Sequence, residues 1–116
     1  MEPTYCKLEI YIPETHLAAL QDALAEVDAG HIGRYDRCLS YCPVTSCWRP
    51  LEGTDPYLGT VGQVSTEPEL KVEVTCTLAQ VDAAVEAVKR IHPYEEPVIC
   101  VIPLYRTTFS PAPPED

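Results

Sequence analysis

The chain has 116 residues, enough for one domain with a single two-layer core. It carries 18 acidic and 8 basic residues, a formal net charge of −10. Because phosphate binding needs clustered lysine and arginine, this charge argues against nucleic acid or anionic membrane as the main partner. No apolar run approaches membrane-spanning length, and the first residues lack the features of a signal peptide, so we expect a cytoplasmic location.

The first half of the chain predicts a strand, a helix and a second strand. Tyr5–Ile12 alternates between apolar and polar side chains, the period of a half-buried strand. A helix is predicted from Pro13 to about Gly30, because its apolar residues fall on one stripe. These residues are Leu17, Leu20, Leu24 and Val27. The second strand is predicted over Arg34–Tyr41.

The stretch from Pro43 to Thr66 is irregular and rich in proline and glycine. A structureless loop of this length is unusual in a compact domain. We therefore predict that this stretch forms a protruding hairpin or supports a contact between subunits.

The second half of the chain predicts strand, helix and strand again. Leu70–Cys76 alternates, and Thr77 with Gln80 gives the pattern of a capping box at the start of a helix. The apolar stripe of this helix consists of Leu78, Val81, Val85 and Val88. Val98–Leu104 is an unbroken apolar run, which predicts a central strand covered on both faces, in part by a partner subunit.

The predicted order is strand, helix, strand, strand, helix, strand. This order is typical of the split βαβ arrangement, so we predict an α+β, ferredoxin-like βαββαβ fold. Its four-stranded antiparallel sheet carries both helices on one face. Residues 1–105 form this single domain, and the proline-rich acidic tail 106–116 is predicted to be disordered.

Six cysteines raise the question of disulfides or a metal site. Three of them lie in predicted strands, where cysteine is most often a small buried hydrophobe: Cys6, Cys76 and Cys100. In a reducing cytoplasm their thiols stay free. Cys38, Cys42 and Cys47 follow His31, and sulfur with imidazole suits zinc or copper(I). Their spacing misses that of structural zinc sites, which favours surface thiols for Cys42 and Cys47.

A polar segment just before the last strand points to a functional site. His92–Pro97 (HPYEEP) places an imidazole, a phenol and two carboxylates between two prolines that prevent helix. In a structural interpretation, His92 and Tyr94 pack against the helix end and the carboxylates cap nearby amides. In a functional interpretation, one glutamate faces a pocket, because successive side chains of an extended segment alternate.

A second polar segment, residues 30–38, supplies further candidates. If the two segments meet across the sheet, His31, Cys38 and one glutamate become ligands for a cation or a small polar molecule. Arg49–Gly53 (RPLEG) adds a possible arginine–carboxylate pair between subunits. The candidate ligand-binding residues are His31, Tyr35, Arg49, Glu52, His92, Tyr94, Glu95 and Glu96, and the candidate metal ligands are His31, Cys38 and Glu95.

Four short motifs in order carry a family resemblance. They are residues 30–38 (GHIGRYDRC), 49–53 (RPLEG), 56–62 (PYLGTVG) and 92–97 (HPYEEP). Together they resemble the CutA/PII-like domain that is inserted in NIF-three (dinuclear-metal hexameric) proteins, here as a stand-alone chain. The resemblance covers roughly residues 4–105. CutA and PII-like proteins are ferredoxin-like trimers, so the resemblance implies a homo-oligomer, with a trimer as the expected state.

The resemblance also limits what is implied. The flanking halves that hold the paired metals in NIF-three proteins are absent from this sequence, so their dinuclear site and any hydrolase activity are not implied. We expect an oligomeric binding or regulatory module, with a divalent metal ion or a small polar ligand at the two motifs and a protein partner possible. The alternatives are a structural interaction domain without ligand, and a small hydrolase that uses histidine and glutamate as acid and base. No nucleophile elbow or phosphate-binding glycine loop occurs, so the enzyme is the minority hypothesis.

Overall fold

The computed structural model describes residues 4–109 and arranges them in the predicted order of strands and helices. The elements are β1 (Tyr5–Ile12), a 3-10 turn (Glu14–His16), α1 (Leu17–Glu26), β2 (Ser40–Trp48), β3 (Ser65–Thr77), α2 (Val81–Ile91) and β4 (Ile99–Leu104). The strands pair antiparallel in one sheet of order β2-β3-β1-β4. The ferredoxin-like prediction is therefore confirmed. Within residues 4–109, no helix has the length and apolar character needed to cross a membrane.

The two helices cover one face of the sheet and build the core with it. Residue pairs across β1 and β3, such as Leu8 with Val74 and Ile10 with Val72, place the apolar residues of both strands on this face. The predicted inward faces of the two strands are confirmed, because these residues are buried: Cys6, Leu8, Ile10, Ile12, Leu70, Val72, Val74 and Cys76. The helices contribute Leu20, Leu24, Ala84 and Val88 to the same cluster. Each large apolar side chain so buried contributes about 1.5 to 3 kcal/mol.

The predicted capping box before α2 is confirmed. The Thr77 N–H donates to Gln80 Oε1 at 3.0 Å, and the Gln80 N–H donates to Thr77 Oγ1 at 3.2 Å. Leu78 lies inside this turn, ahead of the first residue of α2. Its side chain is exposed, so its predicted place on the buried stripe is wrong.

The predicted second strand was placed too early in the chain. Residues 34–39 are irregular, and β2 begins at Ser40. The cause is a tight turn in which Ile32 and Tyr35 form an isolated bridge. Gly33 and Arg37 both adopt positive φ, at 60° and 56°, a conformation that a strand cannot continue.

The irregular stretch 43–66 is largely a long hairpin. β2 and β3 pair without interruption from Ser40 with Glu73 to Trp48 with Ser65. Residues 49–64, called the 49–64 loop below, connect them. The predicted protruding hairpin is therefore confirmed, with a longer regular part than expected.

β4 is an edge strand, so its prediction as a central strand is wrong. It pairs only with β1. Its side chains alternate between the two faces of the sheet: Val101, opposite Leu8 on the helix side, keeps 45% of its surface exposed, and Ile102, opposite Lys7 on the other side, keeps 38%. Cys100 is also exposed, so the predicted burial of this thiol does not occur within one chain. An unbroken apolar run thus marks a strand that nothing within residues 4–109 covers.

The predicted tail begins within the described part of the chain. Phe109 packs edge-to-face on Tyr5, with 5.3 Å between ring centroids. The rest of the tail, residues 110–116, lies outside the described residues, so the disorder predicted there stays a prediction.

Candidate functional site

A cavity of about 590 Å³ opens where the 49–64 loop meets residues 92–97, called the 92–97 loop below. It is also lined by residues of all four strands: Tyr11 of β1, Ser46, Cys47 and Trp48 of β2, Glu69 of β3 and Cys100 of β4. Its walls include three aromatic rings, those of Trp48, Tyr57 and Tyr94. Its polar residues include Glu69, Glu95 and Glu96. We call it the aromatic cavity.

His92 holds the 92–97 loop against the sheet. Its ring is buried, and Nε2 lies 2.7 Å from the backbone oxygen of Tyr11. Nδ1 lies 3.2 Å from the backbone N–H of Tyr94. A carbonyl only accepts and an N–H only donates, so the network assigns the neutral tautomer with its proton on Nε2. Burial lowers the pKa of His92, and the Tyr11 carbonyl and the charge of Glu69 oppose this shift.

Tyr94 stands at the centre of an aromatic cluster. Its ring centroid lies 4.9 Å from that of His92, 5.7 Å from Trp48 and 5.9 Å from Tyr57, with all three neighbours tilted. Its hydroxyl is buried without a hydrogen-bond partner within the described part of the chain. Burial, and secondly the nearby Glu69 carboxylate, raise the pKa of Tyr94, although no hydrogen bond of good geometry joins the two groups.

Glu69 is the buried acidic residue of the cavity. Only 5% of its surface is exposed, on the face of β3 away from the helices. No lysine, arginine or histidine among residues 4–109 forms a salt bridge with it. Burying a carboxylate without a counter-charge is costly, so its place in the wall of a cavity calls for an explanation.

The two glutamates of the 92–97 loop differ in their surroundings. Glu95 Oε2 accepts a hydrogen bond of 3.0 Å from the backbone N–H of Asp55. This bond ties the 92–97 loop to the 49–64 loop across the mouth of the cavity. Glu96 is exposed and lines the cavity without a described hydrogen bond.

The other polar segment forms a separate and fully bonded turn. His31 Nδ1 lies 3.0 Å from both carboxylate oxygens of Asp28, and Nε2 lies 3.1 Å from the carbonyl oxygen of Gly33. All these partners are acceptors, so this bonding is complete when both ring nitrogens carry a proton. Hydrogen bonding to Asp28, and then its charge, raise the pKa of His31. We call residues 28–38 the histidine turn.

The two predicted motifs do not meet within one chain. The histidine turn is attached to the sheet at Thr75, which pairs with Lys7, through the Gly30 N–H. The 92–97 loop is attached at Tyr11. Four positions of β1, about 13 Å, separate these attachment points. The expected convergence of His31, Cys38 and Glu95 is therefore wrong for a single chain.

The described residues contain no group of three or more histidine, cysteine or acidic side chains placed to hold a metal ion. Cys38 lies beside the backbone oxygen of Asp36, at 3.7 Å. When both of its ring nitrogens carry a proton, His31 has no lone pair for a metal. A general base needs a free ring nitrogen to accept a proton. Both nitrogens of His31 and of His92 already take part in hydrogen bonds, so neither ring offers one.

The remaining candidates lie on the surface. Tyr35 is 75% exposed at the tip of the histidine turn. Arg49 and Glu52 are exposed in the 49–64 loop and form no salt bridge within residues 4–109. Their predicted roles in ligand binding stay predictions, and so does the arginine–carboxylate pair between subunits that was predicted for Arg49–Gly53.

Sequence reasoning missed Glu69, Trp48 and Tyr57 as parts of a site. Alternation in β3 places Glu69 among outward-facing polar residues, and only the cover provided by two distant loops buries it. The one available signal was the cluster of aromatic residues and prolines from Trp48 to Tyr57, inside a segment interpreted as a connection.

Comparison with known proteins shows which family this chain resembles. Residues 38–109 match the family described as CutA1 divalent ion tolerance protein. A relative from Halalkalibacterium halodurans named GTP cyclohydrolase 1 type 2 homolog is 39% identical over 98 residues, which are 84% of this chain. The match covers 26% of that relative, so the chain spans about a quarter of its length.

Two solved structures agree with this placement. A Bacillus cereus protein related to NIF3 superposes with a TM-score of 0.79 at 28% identity, over 91% of this chain and 27% of that one. The periplasmic divalent cation tolerance protein CutA from Archaeoglobus fulgidus superposes with a TM-score of 0.67 at 20% identity, over 89% of this chain and 86% of that one. The second likeness concerns the fold alone.

Proposed function

The chain belongs to the CutA1 family, and we propose that it is a homo-oligomeric CutA/PII-like module that binds a small ligand in the aromatic cavity. The proposal assigns a binding or regulatory role and no reaction. The ligand contacts would come from Tyr94, Glu96 and Glu69, with Glu95 and His92 fixing the loops around it.

The buried, incompletely bonded polar groups of the cavity carry this proposal. Glu69 has no salt-bridge partner, and the Tyr94 hydroxyl has no hydrogen-bond partner, in the described part of the chain. Native interiors rarely leave such groups unpaired, because each costs about 1 to 3 kcal/mol. A ligand that completes both would recover this cost on binding. The volume of about 590 Å³ is within the range of small-molecule sites.

The uncovered side of the sheet supports the homo-oligomer. Ile102 and Cys100 of β4 are exposed on this side, and Val101 is exposed on the opposite side of the same edge strand. Exposed apolar patches of this kind mark contact surfaces. The resemblance to CutA trimers gives a trimer as the proposed state, in which Arg49, Glu52 and Tyr35 lie at or near subunit contacts. The six free thiols suit the proposed cytoplasmic location.

Divalent cation binding is a second candidate, favoured by the family description. Because His31 and Cys38 lie far from Glu95 within one chain, a site using all three requires more than one subunit. Such a site would also require His31 to lose a proton and leave Asp28.

Native mass spectrometry of protein purified without chelator or metal-affinity resin tests both proposals. We expect a trimer that keeps a bound ligand under gentle ionisation. An organic mass supports the cavity, and one metal ion per subunit or per trimer supports the second candidate. A ligand-free monomer would contradict both.

Two variants locate the bound mass. Trp48→Leu removes a wall of the aromatic cavity and is expected to lose an organic ligand. Cys38→Ser leaves the cavity unchanged and is expected to retain it. The reverse result would assign the bound species to the histidine turn.

A further inference from the structure

We infer that the aromatic cavity binds an organic cation that carries N–H donors, an alkylammonium or guanidinium group on a small apolar body. This inference rests on the proposed function and names the chemical class of its ligand. The observation behind it is the combination of aromatic walls with a buried carboxylate and no basic residue.

The charge of the cavity selects a cation. Its acidic residues are Glu69, Glu95 and Glu96, and no lysine, arginine or histidine among residues 4–109 lines it. An anionic ligand would meet only like charge, and a neutral one would leave Glu69 without a counter-charge. The chain as a whole is also acidic, which attracts cations to its surface.

The walls select an organic cation over a metal ion. The ring planes of Trp48 and Tyr57 are tilted by 50° and 45° relative to that of Tyr94, so neither ring stacks flat on it. Ring faces attract ammonium and guanidinium groups but offer no lone pairs to a metal. The oxygen ligands that a hard divalent ion needs are too few here, since the described residues form no metal-binding group of three.

The buried polar atoms select a cation with N–H donors. Glu69 is 95% buried and lines the cavity, so a ligand must reach it inside the protein. A carboxylate is satisfied by N–H groups in short charge-assisted hydrogen bonds. The buried Tyr94 hydroxyl offers a further acceptor or donor next to it. A quaternary ammonium would gain the aromatic contact but has no N–H to donate to the Glu69 carboxylate or the Tyr94 hydroxyl.

A matched set of probes tests this class on the full chain. The probes are butylammonium, butylguanidinium, butyltrimethylammonium, butanol and butyrate, which share one apolar body and differ in the head group. Trp48 is the only tryptophan and lines the cavity, so its fluorescence reports binding directly. We expect butylammonium and butylguanidinium to bind at least about 10-fold more tightly than butanol, with no response to butyrate.

Glu69→Gln is the decisive variant, because it removes the charge at nearly constant volume. We expect at least about a 10-fold loss of affinity for butylammonium. Glu73→Gln is its matched control, on the same face of β3 but in an exposed pair with Lys7. It is expected to bind like the wild type. If Glu69→Gln does not fold, Tyr94→Phe replaces it, with an expected loss for butylammonium and none for butyltrimethylammonium.

Several outcomes would overturn the inference. Equal binding of butanol or butyrate would remove the role of charge, and tighter binding of butyltrimethylammonium would remove the role of N–H donors. Unchanged affinity in Glu69→Gln would show that the Glu69 carboxylate does not contribute to binding. Binding of a neutral or anionic probe would leave the proposed function standing. No response to any probe, with a native mass spectrum free of bound mass, would overturn both.

Discussion

The histidine turn and the aromatic cavity are both rich in polar side chains, yet they differ in how completely those side chains are bonded. In the histidine turn, both nitrogens of His31 are hydrogen-bonded to acceptors a few residues away in the chain. In the cavity, Glu69 is buried and forms no salt bridge, and the Tyr94 hydroxyl is buried without a hydrogen-bond partner, both among the described residues. Local, complete bonding is typical of a structural turn, whereas incomplete bonding of buried groups indicates a place for a ligand.

The same difference appears in the two histidines. His31 is a half-buried ring that bonds only within its own turn. His92 is a buried neutral ring that joins two segments separated by 81 positions, because it bonds to the backbone of Tyr11. One histidine shapes a turn, and the other fixes the position of a whole loop and one wall of the cavity.

The largest expected effect comes from removing His92. His92→Ala leaves a void and an unsatisfied Tyr11 carbonyl, and we expect a loss of about 4 kcal/mol in the free energy of unfolding. His31→Ala removes a half-buried group that bonds only within its own turn, and it is expected to cost far less. Urea unfolding followed by circular dichroism measures both. Equal losses would mean that the two histidines play the same structural role.

Sequence patterns were sufficient for the fold because its determinants are local. The alternation in Tyr5–Ile12 and Leu70–Cys76 and the capping box at Thr77 each follow from neighbouring residues. The error at β2 is different. It arises because Gly33 and Arg37 turn the backbone, and a positive φ at arginine has no sequence signal.

The site was only half predictable, because it depends on contacts between distant segments. HPYEEP was recognised, but Glu69 becomes buried only when the 49–64 and 92–97 loops fold over the open face of β3. The proposed meeting of His31 with Glu95 failed for the same reason. Two motifs can both be prominent in sequence and still attach to different positions along one strand.

A smaller loss is expected from Gly30→Ala in the histidine turn. Gly30 has φ +84°, and an added Cβ would lie 2.5 Å from the carbonyl oxygen of Cys38. We expect a loss of about 2 to 3 kcal/mol from strain and close contact together. Gly53→Ala in the 49–64 loop is the matched control, with φ +93° and nothing within 4 Å of the added Cβ. It is expected to cost about 1 kcal/mol.

Thermal unfolding separates the two glycine variants, and tryptophan fluorescence shows whether the cavity survives. Because the histidine turn and the cavity are attached to different positions on the sheet, we expect Gly30→Ala to leave Trp48 fluorescence unchanged below the transition. A shifted emission maximum in the folded Gly30→Ala protein would show that the two regions are coupled.

The smallest effect is on pH dependence, where the two histidines act in opposite directions. The pKa of His31 is raised above 6.5, mainly by Asp28, so its contribution to stability is complete below pH 6.5 and is lost as pH rises through the folded pKa. The pKa of His92 is lowered below 6.5 by burial, so its contribution is present above pH 6.5 and is lost as pH falls toward the folded pKa.

Nuclear magnetic resonance can follow the rings of His31 and His92 separately. We expect the His31 ring to titrate above pH 6.5 and the His92 ring below it. Asp28→Asn should return His31 toward its ordinary pKa without moving His92, because the carboxylate is the main cause of the first shift and is absent from the causes of the second. If both rings titrated at the same pH, the two regions would not differ in bonding in solution. The unpaired groups of the cavity would then no longer indicate a ligand site.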